Sequence, residues 1–225
     1  MALISASAIA SVSSCADDND DAPHIATLYD VVEFTAQDGA GSVFTLWRPD
    51  ATKAVILKSA TPVVNTSVVS PGESLFLAYT PLNGKAYTSG PVEVHTYGTV
   101  NNAPLLKSDT EKLDGWDSEP VYLMSLWRAG NKVCMRLRMT YDTAPRLCAL
   151  IVDEATAGDE YPTAYLYHKR PTDAPNFARQ YYASFNAEAL WKTPGCKGLR
   201  IRVNNSNNPA LNTFVVENPA LAPEE

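Results

Sequence analysis

No stretch of twenty apolar residues occurs in the chain, which excludes a membrane-spanning helix of ordinary length. Charge is scarce too: Asp, Glu, Lys and Arg make up 19% of the 225 residues, against 45% hydrophobic ones. Nor is there a basic excess. The formal net charge is −7, and four of the acids, Asp17, Asp18, Asp20 and Asp21, crowd the N-terminus; the remainder holds 21 acidic against 18 basic residues. Such near-balance argues against nucleic acid as a partner, because neutralising phosphates needs clustered Lys and Arg. Catalytic signatures are missing as well. There is no Gly-x-Ser-x-Gly, no His-Glu-x-x-His and no phosphate-binding glycine loop. The three histidines, His24, His95 and His168, lie far apart with no cysteine beside them, so no metal or other cofactor is expected. The neighbouring carboxylates Asp153 and Glu154, or Asp159 and Glu160, would point to opposite faces of a strand. They make poor acid/base pairs for glycoside hydrolysis. A non-enzymatic protein is expected, with a glycan-active enzyme as the weaker alternative.

What is present begins with an address. Residues 2–12 form an apolar, small-residue run that leads into Ser13, Ser14 and Cys15. A run of that length reads as a signal peptide over residues 1–14; lacking Lys or Arg, it is either truncated or begins upstream of Met1. Val12-Ser13-Ser14-Cys15 looks like a bacterial lipobox, in which the cysteine sulfur receives a diacylglycerol and the chain is cut before it. Cys15 is the expected lipidation site, and residues 15–24 an acidic, flexible tether. Several acyl chains, at about 0.8 kcal/mol per buried methylene, hold a soluble body on a membrane. Aspartates directly after the cysteine resemble the surface-export signal of lipoproteins in Bacteroides-type bacteria, which implies lipid anchoring in the outer membrane, facing outward. The plainer reading is an incidental cysteine in a disordered start.

From Ile25 the pattern turns to short strands. Residues 25–34 and 42–47 flank a Gln37-Asp38-Gly39-Ala40-Gly41 turn, a hairpin signal. Strand-like segments follow at 54–57, 74–79 and 91–97. Five strands in about seventy residues suit a small closed barrel over residues 25–98, since closure removes exposed edges. Residues 99–118 are polar and turn-rich, and read as a linker. Beyond them Val133, Met135, Leu137 and Met139 alternate with polar residues, as do Leu199, Ile201 and Val203 with Arg200, Arg202 and Asn204; each strand buries one face. Residues 121–127 and 147–152 are more continuously apolar, the pattern of strands buried on both faces. With 164–168, 181–185 and 213–216, about seven antiparallel strands make a β-sandwich over residues 119–219, followed by a tail at 220–225. Asn186 is placed to cap one helical turn ending near Trp191.

Three features in order now carry a resemblance: Ser13-Ser14-Cys15 followed by aspartates, Pro71-Gly72-Glu73-Ser74-Leu75-Phe76-Leu77-Ala78-Tyr79-Thr80, and Val121-Tyr122-Leu123-Met124-Ser125-Leu126-Trp127-Arg128 running on to Arg138. Over nearly the whole chain these look like the NigD-like lipoproteins of Bacteroides-type bacteria. The resemblance implies an all-β protein, with an N-terminal OB-type five-stranded barrel and a C-terminal antiparallel β-sandwich. The family is named for a suggested link to bacteriocin immunity and brings no established catalytic or ligand residues.

Other candidates come from the residues themselves. Arg136, Arg138, Arg200 and Arg202 sit on polar strand faces; on neighbouring strands they would form a patch for anionic groups, while protection of exposed edges is the plain alternative. Trp47, Trp127, Tyr165, Tyr167, Tyr181 and Tyr182 could stack on sugars, or pack as core and cross-strand pairs. Cys134 and Cys148 fall on successive strands of an expected hairpin, where a cross-strand disulfide is one reading. A turn near Thr143 offsets the pair, and free buried thiols are the other. Asp142-Thr143-Ala144 resembles the O-glycosylation motif of Bacteroides-type exported proteins, with Thr143 as acceptor in an exposed turn. Asn65-Thr66-Ser67 and Asn204-Asn205-Ser206 match the N-glycosylation pattern, incidental in a bacterial lipoprotein. Asp109, Glu111, Asp114, Asp117 and Glu119 could offer oxygens to a cation but lack EF-hand order, so a solvated linker is preferred. The leading reading is an envelope lipoprotein that binds a protein or glycan partner, with a bacteriocin immunity protein as the alternative. Labelled palmitate should enter the wild-type protein and be absent from Cys15→Ala; label that persists in the variant refutes the anchor.

Overall fold

The computed structural model describes residues 26–49, 51, 53–109, 119–141, 146–169 and 177–219. The leader, Cys15 and the tether lie outside these residues, as do Thr143, residues 110–118 and the tail at 220–225.

β1 (Leu28–Asp38) is long enough to serve two partners. Its first half, Leu28 to Glu33, pairs with β4 (Ser74–Pro81), and the remainder pairs with β2 (Gly41–Leu46). A bulge between Phe34 and Ala36 bends the strand where the partner changes. The expected hairpin turn is there: Asp38 Oδ1 accepts from Ala40 N at 2.8 Å, and Gly41 pairs with Asp38. β3 (Val55–Ser59) runs antiparallel to β2 and parallel to β5 (Gly90–Thr99), and β5 returns antiparallel to β4. The result is a closed barrel in the order β1-β2-β3-β5-β4, an OB-type arrangement. Phe34, Phe44, Leu57, Leu75, Leu77 and Tyr79 fill its interior.

The rest of the chain builds two facing sheets. One has the order β6-β12-β9-β8, from β6 (Asn101–Pro104), β12 (Phe177–Asn186), β9 (Lys132–Tyr141) and β8 (Tyr122–Ala129). The other runs β14-β13-β11-β10-β7, from β14 (Thr213–Glu217), β13 (Gly198–Arg202), β11 (Thr163–Lys169), β10 (Leu147–Asp153) and β7 (Leu106–Ser108). Val133, Met135, Leu137 and Phe185 of the first meet Leu150, Val152, Leu199 and Ile201 of the second in one core. A short helix α1 (Glu188–Trp191) closes one end, with Asn186 Oδ1 accepting from Glu188 N at 2.9 Å.

The expected barrel and sandwich are both present, but the sandwich is mixed rather than antiparallel, with β11 running parallel to β13, and it carries nine strands among the described residues rather than about seven. The two extra strands, β6 and β7, come from the stretch read as a linker. Each pairs in parallel with a partner more than forty residues away, β12 and β10 respectively. No local period betrays such a pairing, because the partner supplies the ladder. β8 also departs from expectation. It is an edge strand with Tyr122 and Met124 exposed, whereas β10, central in its sheet, is buried on both faces as its apolar run implies.

Barrel and sandwich are stitched together by polar groups. Lys132, 8% exposed, contacts Glu33 Oε2 at 2.9 Å, donates to the Gly72 carbonyl and lies 3.4 Å from Ser74 Oγ. Asn102 Oδ1 accepts from Ser74 N at 2.8 Å while its amide donates back to Ser74 O at 3.0 Å, and Ser74 Oγ meets Ser184 Oγ at 2.8 Å. Within the sandwich, Asn101 makes the same pair of bonds to Cys148 N and O and so ties β6 to the opposite sheet. Around them Val31, Phe76 and Trp47 of the barrel side pack on Ala129, Cys134, Trp127 and Tyr182 of the sandwich. Gly130 has φ +58°, and a Cβ there would lie 2.8 Å from the Trp47 indole nitrogen, so only glycine admits this approach. Lys132→Ala is expected to lower stability by about 2 kcal/mol, because it removes a buried side chain and leaves the half-buried Glu33 carboxylate and Ser74 hydroxyl without their cation. Chemical denaturation checks this; a loss indistinguishable from that of an exposed lysine variant contradicts the clamp.

Candidate ligand-binding groove

Strand β11 alternates cleanly. Ala164 and Leu166 enter the sandwich core, which sends Tyr165 and Tyr167 to the outer face. β13 obeys the same period: Leu199 and Ile201 point in, Arg200 and Arg202 out. Parallel pairing sets Tyr165 beside Arg202 and Thr163 beside Arg200. The β13–β14 loop then rises as a wall, and asparagines hold it. Asn205 Nδ2 donates to Leu211 O at 2.9 Å, its Oδ1 accepts from Asn207 N at 3.0 Å, and Asn207 Nδ2 donates to Leu123 O at 2.9 Å. Asn208 Oδ1 accepts from Ala210 N at 3.2 Å. Turns of this kind let the side chain replace backbone partners.

The product is a groove of about 430 Å³ bordered by Tyr165, Tyr167, Arg202, Asn204, Pro209 and Asn212. Burial raises the Tyr167 hydroxyl above its ordinary pKa, and Tyr165 beside it adds to the effect. Neither hydroxyl is hydrogen-bonded within the described residues, and Arg202 has no ion pair there. These groups therefore face outward with their hydrogen-bonding capacity unused. Two ring faces, a guanidinium and an amide in one concavity suit a flat ligand with polar edges.

The other sequence candidates are dispersed. The four arginines do not converge: Arg136 and Arg138 are on β9 and Arg200 and Arg202 on β13, in opposite sheets of the sandwich. Arg136 is spent locally, donating to Gln180 Oε1 at 2.8 Å beside the Tyr182 ring. Trp47, Trp127 and Tyr182 pack in the seam, and Tyr181 leans on the sandwich core. Cys134 and Cys148 are both free thiols. The β9–β10 hairpin imagined for them does not form, since β9 pairs with β8 and β12 while β10 pairs with β11 and β7. Asp153 Oδ1 caps a 3-10 turn by accepting from Ala155 N, and Glu160 pairs with Lys197 at 2.6 Å. His95 bonds Thr80, whereas His168 lies buried against Arg146. Of the acidic cluster, Glu119 engages Arg146, and Glu111, Asp114 and Asp117 lie outside the described residues.

Two further features offer less chemistry. A cleft of about 460 Å³ beside α1 is lined by Pro104, Leu105, Val152 and Leu190 together with Lys107 and Lys192, and Lys192 is held by Glu188 at 2.6 Å. At one end of the barrel, Tyr79 donates to Asp30 Oδ2 at 3.0 Å, and burial raises the Asp30 carboxyl above its ordinary pKa. Arg48 there lies 4.0 Å over the Tyr87 ring.

Neither a family model nor a curated protein sequence matches the chain. Solved structures do. A protein of unknown function, DUF1344, from Bacteroides vulgatus ATCC 8482 superposes with a TM-score of 0.65 at 14% identity, covering 85% of this chain and 90% of that one. A candidate lipoprotein from Bacteroides fragilis NCTC 9343 gives 0.60 at 10% identity, covering 85% and 98%. A NigD-like immunity protein from Bacteroides caccae ATCC 43185 gives 0.56 at 16% identity, covering 86% and 92%. The chain has a NigD-like fold. At such identities the likeness is one of architecture, and the groove stands on its own residues.

From sequence, Tyr165, Tyr167 and Arg202 stand out one by one, but nothing there joins them. The asparagine run 204–208 reads only as a glycosylation pattern, although its density is the signal for a loop tied by Asx turns. The thiols yield a direct check. Burial pushes Cys134 up to about 11 and Cys148 up to about 12, and thiolate is the reactive form. In a Cys15→Ser/Cys196→Ser background at pH 8, neither thiol should react with Ellman's reagent until the protein is denatured. Fast labelling of either residue in the native state contradicts the described packing.

Proposed function

We propose that this chain is a non-enzymatic, lipid-anchored envelope protein that binds a glycan in the groove on the five-stranded sheet. The observation that carries the proposal is the half-buried pair Tyr165 and Tyr167 side by side next to Arg202 and Asn212, with both hydroxyls and the Arg202 guanidinium unpaired among the described residues. Sugar rings present apolar C–H faces and polar edges, and amphipathic aromatic rings ringed by donors match both. The lipobox at Cys15 supplies the address, and the likeness to a candidate lipoprotein from Bacteroides fragilis agrees with it. A binding role is supported by the carboxylates weighed for catalysis, since Asp153 and Glu160 are engaged in a cap and an ion pair.

Immunity toward a bacteriocin is the second reading, in keeping with the name of the Bacteroides caccae structure. It would use a different surface. Tyr29, 64% exposed, stacks on Phe76 at 6.1 Å, and Phe76 on Tyr182 at 4.9 Å, which gives a flat aromatic strip across the seam. Such strips suit protein partners.

The glycan reading is tested by affinity electrophoresis of the soluble domain through gels containing dextran, mannan, xylan, polygalacturonate or dextran sulfate. Retention by at least one polysaccharide is expected. It should weaken about tenfold or more in Tyr165→Ala/Tyr167→Ala, in line with the energy of one or two aromatic stacking contacts. Migration unaffected by every polysaccharide, or retention that survives the double variant, overturns the proposal.

A further inference from the structure

We infer that the groove selects acidic saccharides, chains carrying carboxylate or sulfate groups; the inference rests on the glycan reading above. Its basis is an imbalance of donors and acceptors. Arg202 brings five N–H donors and no acceptor. Asn212 Oδ1 already accepts from the Thr213 hydroxyl at 3.0 Å, which spends part of its acceptor capacity, while its two amide N–H donors are left for a ligand. Among the described residues no aspartate or glutamate lines the groove. A site for neutral sugars must accept hydrogen bonds from many hydroxyls, and carboxylates are the strongest acceptors a protein owns. This groove lacks them. What it offers instead complements a ligand rich in acceptors.

The charge is built into the sheet rather than scattered over it. Arg200 lies one pleat from Arg202 on the same face of β13, about 7 Å along the strand. Neither guanidinium has a hydrogen bond or ion pair among the described residues. Edge protection does not account for them. β13 is flanked by β11 on one side and β14 on the other, so its backbone is already paired on both sides. On a chain whose net charge is −7, Arg202 beside the two tyrosines, with Arg200 one pleat further along the strand, forms a local cationic patch. The planar guanidinium fork meets a carboxylate or sulfate with two parallel bonds, which an ammonium cannot do.

The test compares dextran, dextran sulfate and polygalacturonate with the wild-type soluble domain and with Arg202→Gln, Arg202→Lys and Arg200→Gln. Wild type should bind at least one acidic polymer ten times more tightly than dextran, and added NaCl should weaken that binding. Preference for polygalacturonate assigns carboxylate recognition by the guanidinium fork, and equal binding of dextran sulfate assigns recognition of negative charge in either form. Arg202→Gln should remove most of the acidic preference without shifting the thermal midpoint, since the side chain is exposed. Arg202→Lys should restore only part of it, and Arg200→Gln should cause a smaller loss. Dextran bound as tightly as the acidic polymers, or an acidic preference intact in Arg202→Gln, overturns the inference and leaves glycan binding standing. If no polymer is retained at all, the glycan reading itself has failed.

Discussion

One buried ammonium sets the geometry of the molecule. Lys132 opens β9, and its Nζ is shared between the Glu33 carboxylate, the Gly72 carbonyl and Ser74 of the barrel. A charge so enclosed is tolerated only while its donors are satisfied, so the barrel cannot slide over the sheet without leaving an ion stranded. The surrounding contacts sharpen the same register. Asn102 locks onto both backbone polar groups of Ser74, and Trp47 rests on the bare backbone of Gly130.

This clamp decides which face of the sandwich is open. The barrel covers much of the outer face of the four-stranded sheet, so Cys134, Ser184 and Tyr182, outward by strand period, end in a seam. The outer face of the opposite sheet keeps its exposure near β11 and β13. Two arginines with the same local pattern thus meet different fates: Arg136 is consumed by Gln180 and Tyr182, and Arg202 stays uncommitted beside Tyr165. The asparagine-tied loop turns that open face from a flat sheet into a groove.

Much of the architecture was legible because the strands are short and alternate strictly. Val133 to Met139 and Leu199 to Val203 announce one buried face each, and β9 and β13 bury the side chains so marked. The turn at Gly39 and Ala40 was readable for the same reason, and so was the helical turn after Asn186, although its cap position falls on Ala187 and Asn186 bonds Glu188 N from one residue earlier. Legibility failed where the partner is remote. Asn101 and Asn102 look like linker polarity, yet they bond Cys148 and Ser74 across 47 and 28 positions. Trp47 and Trp127 look like exposed stacking platforms because the surface that buries them belongs to the other module.

The sequence by itself therefore determined the all-β class, the set of inward-facing side chains and most strand positions, because a period of two is a property of neighbouring residues. Tertiary structure alone decided which sheet each strand joins, and so which polar faces stay wet. Sheet membership rests on pairing between distant segments, and any two strands of suitable length satisfy each other's backbone equally well. Only the packing of the whole chain breaks that tie, and with it places Tyr165, Tyr167 and Arg202 on one open floor.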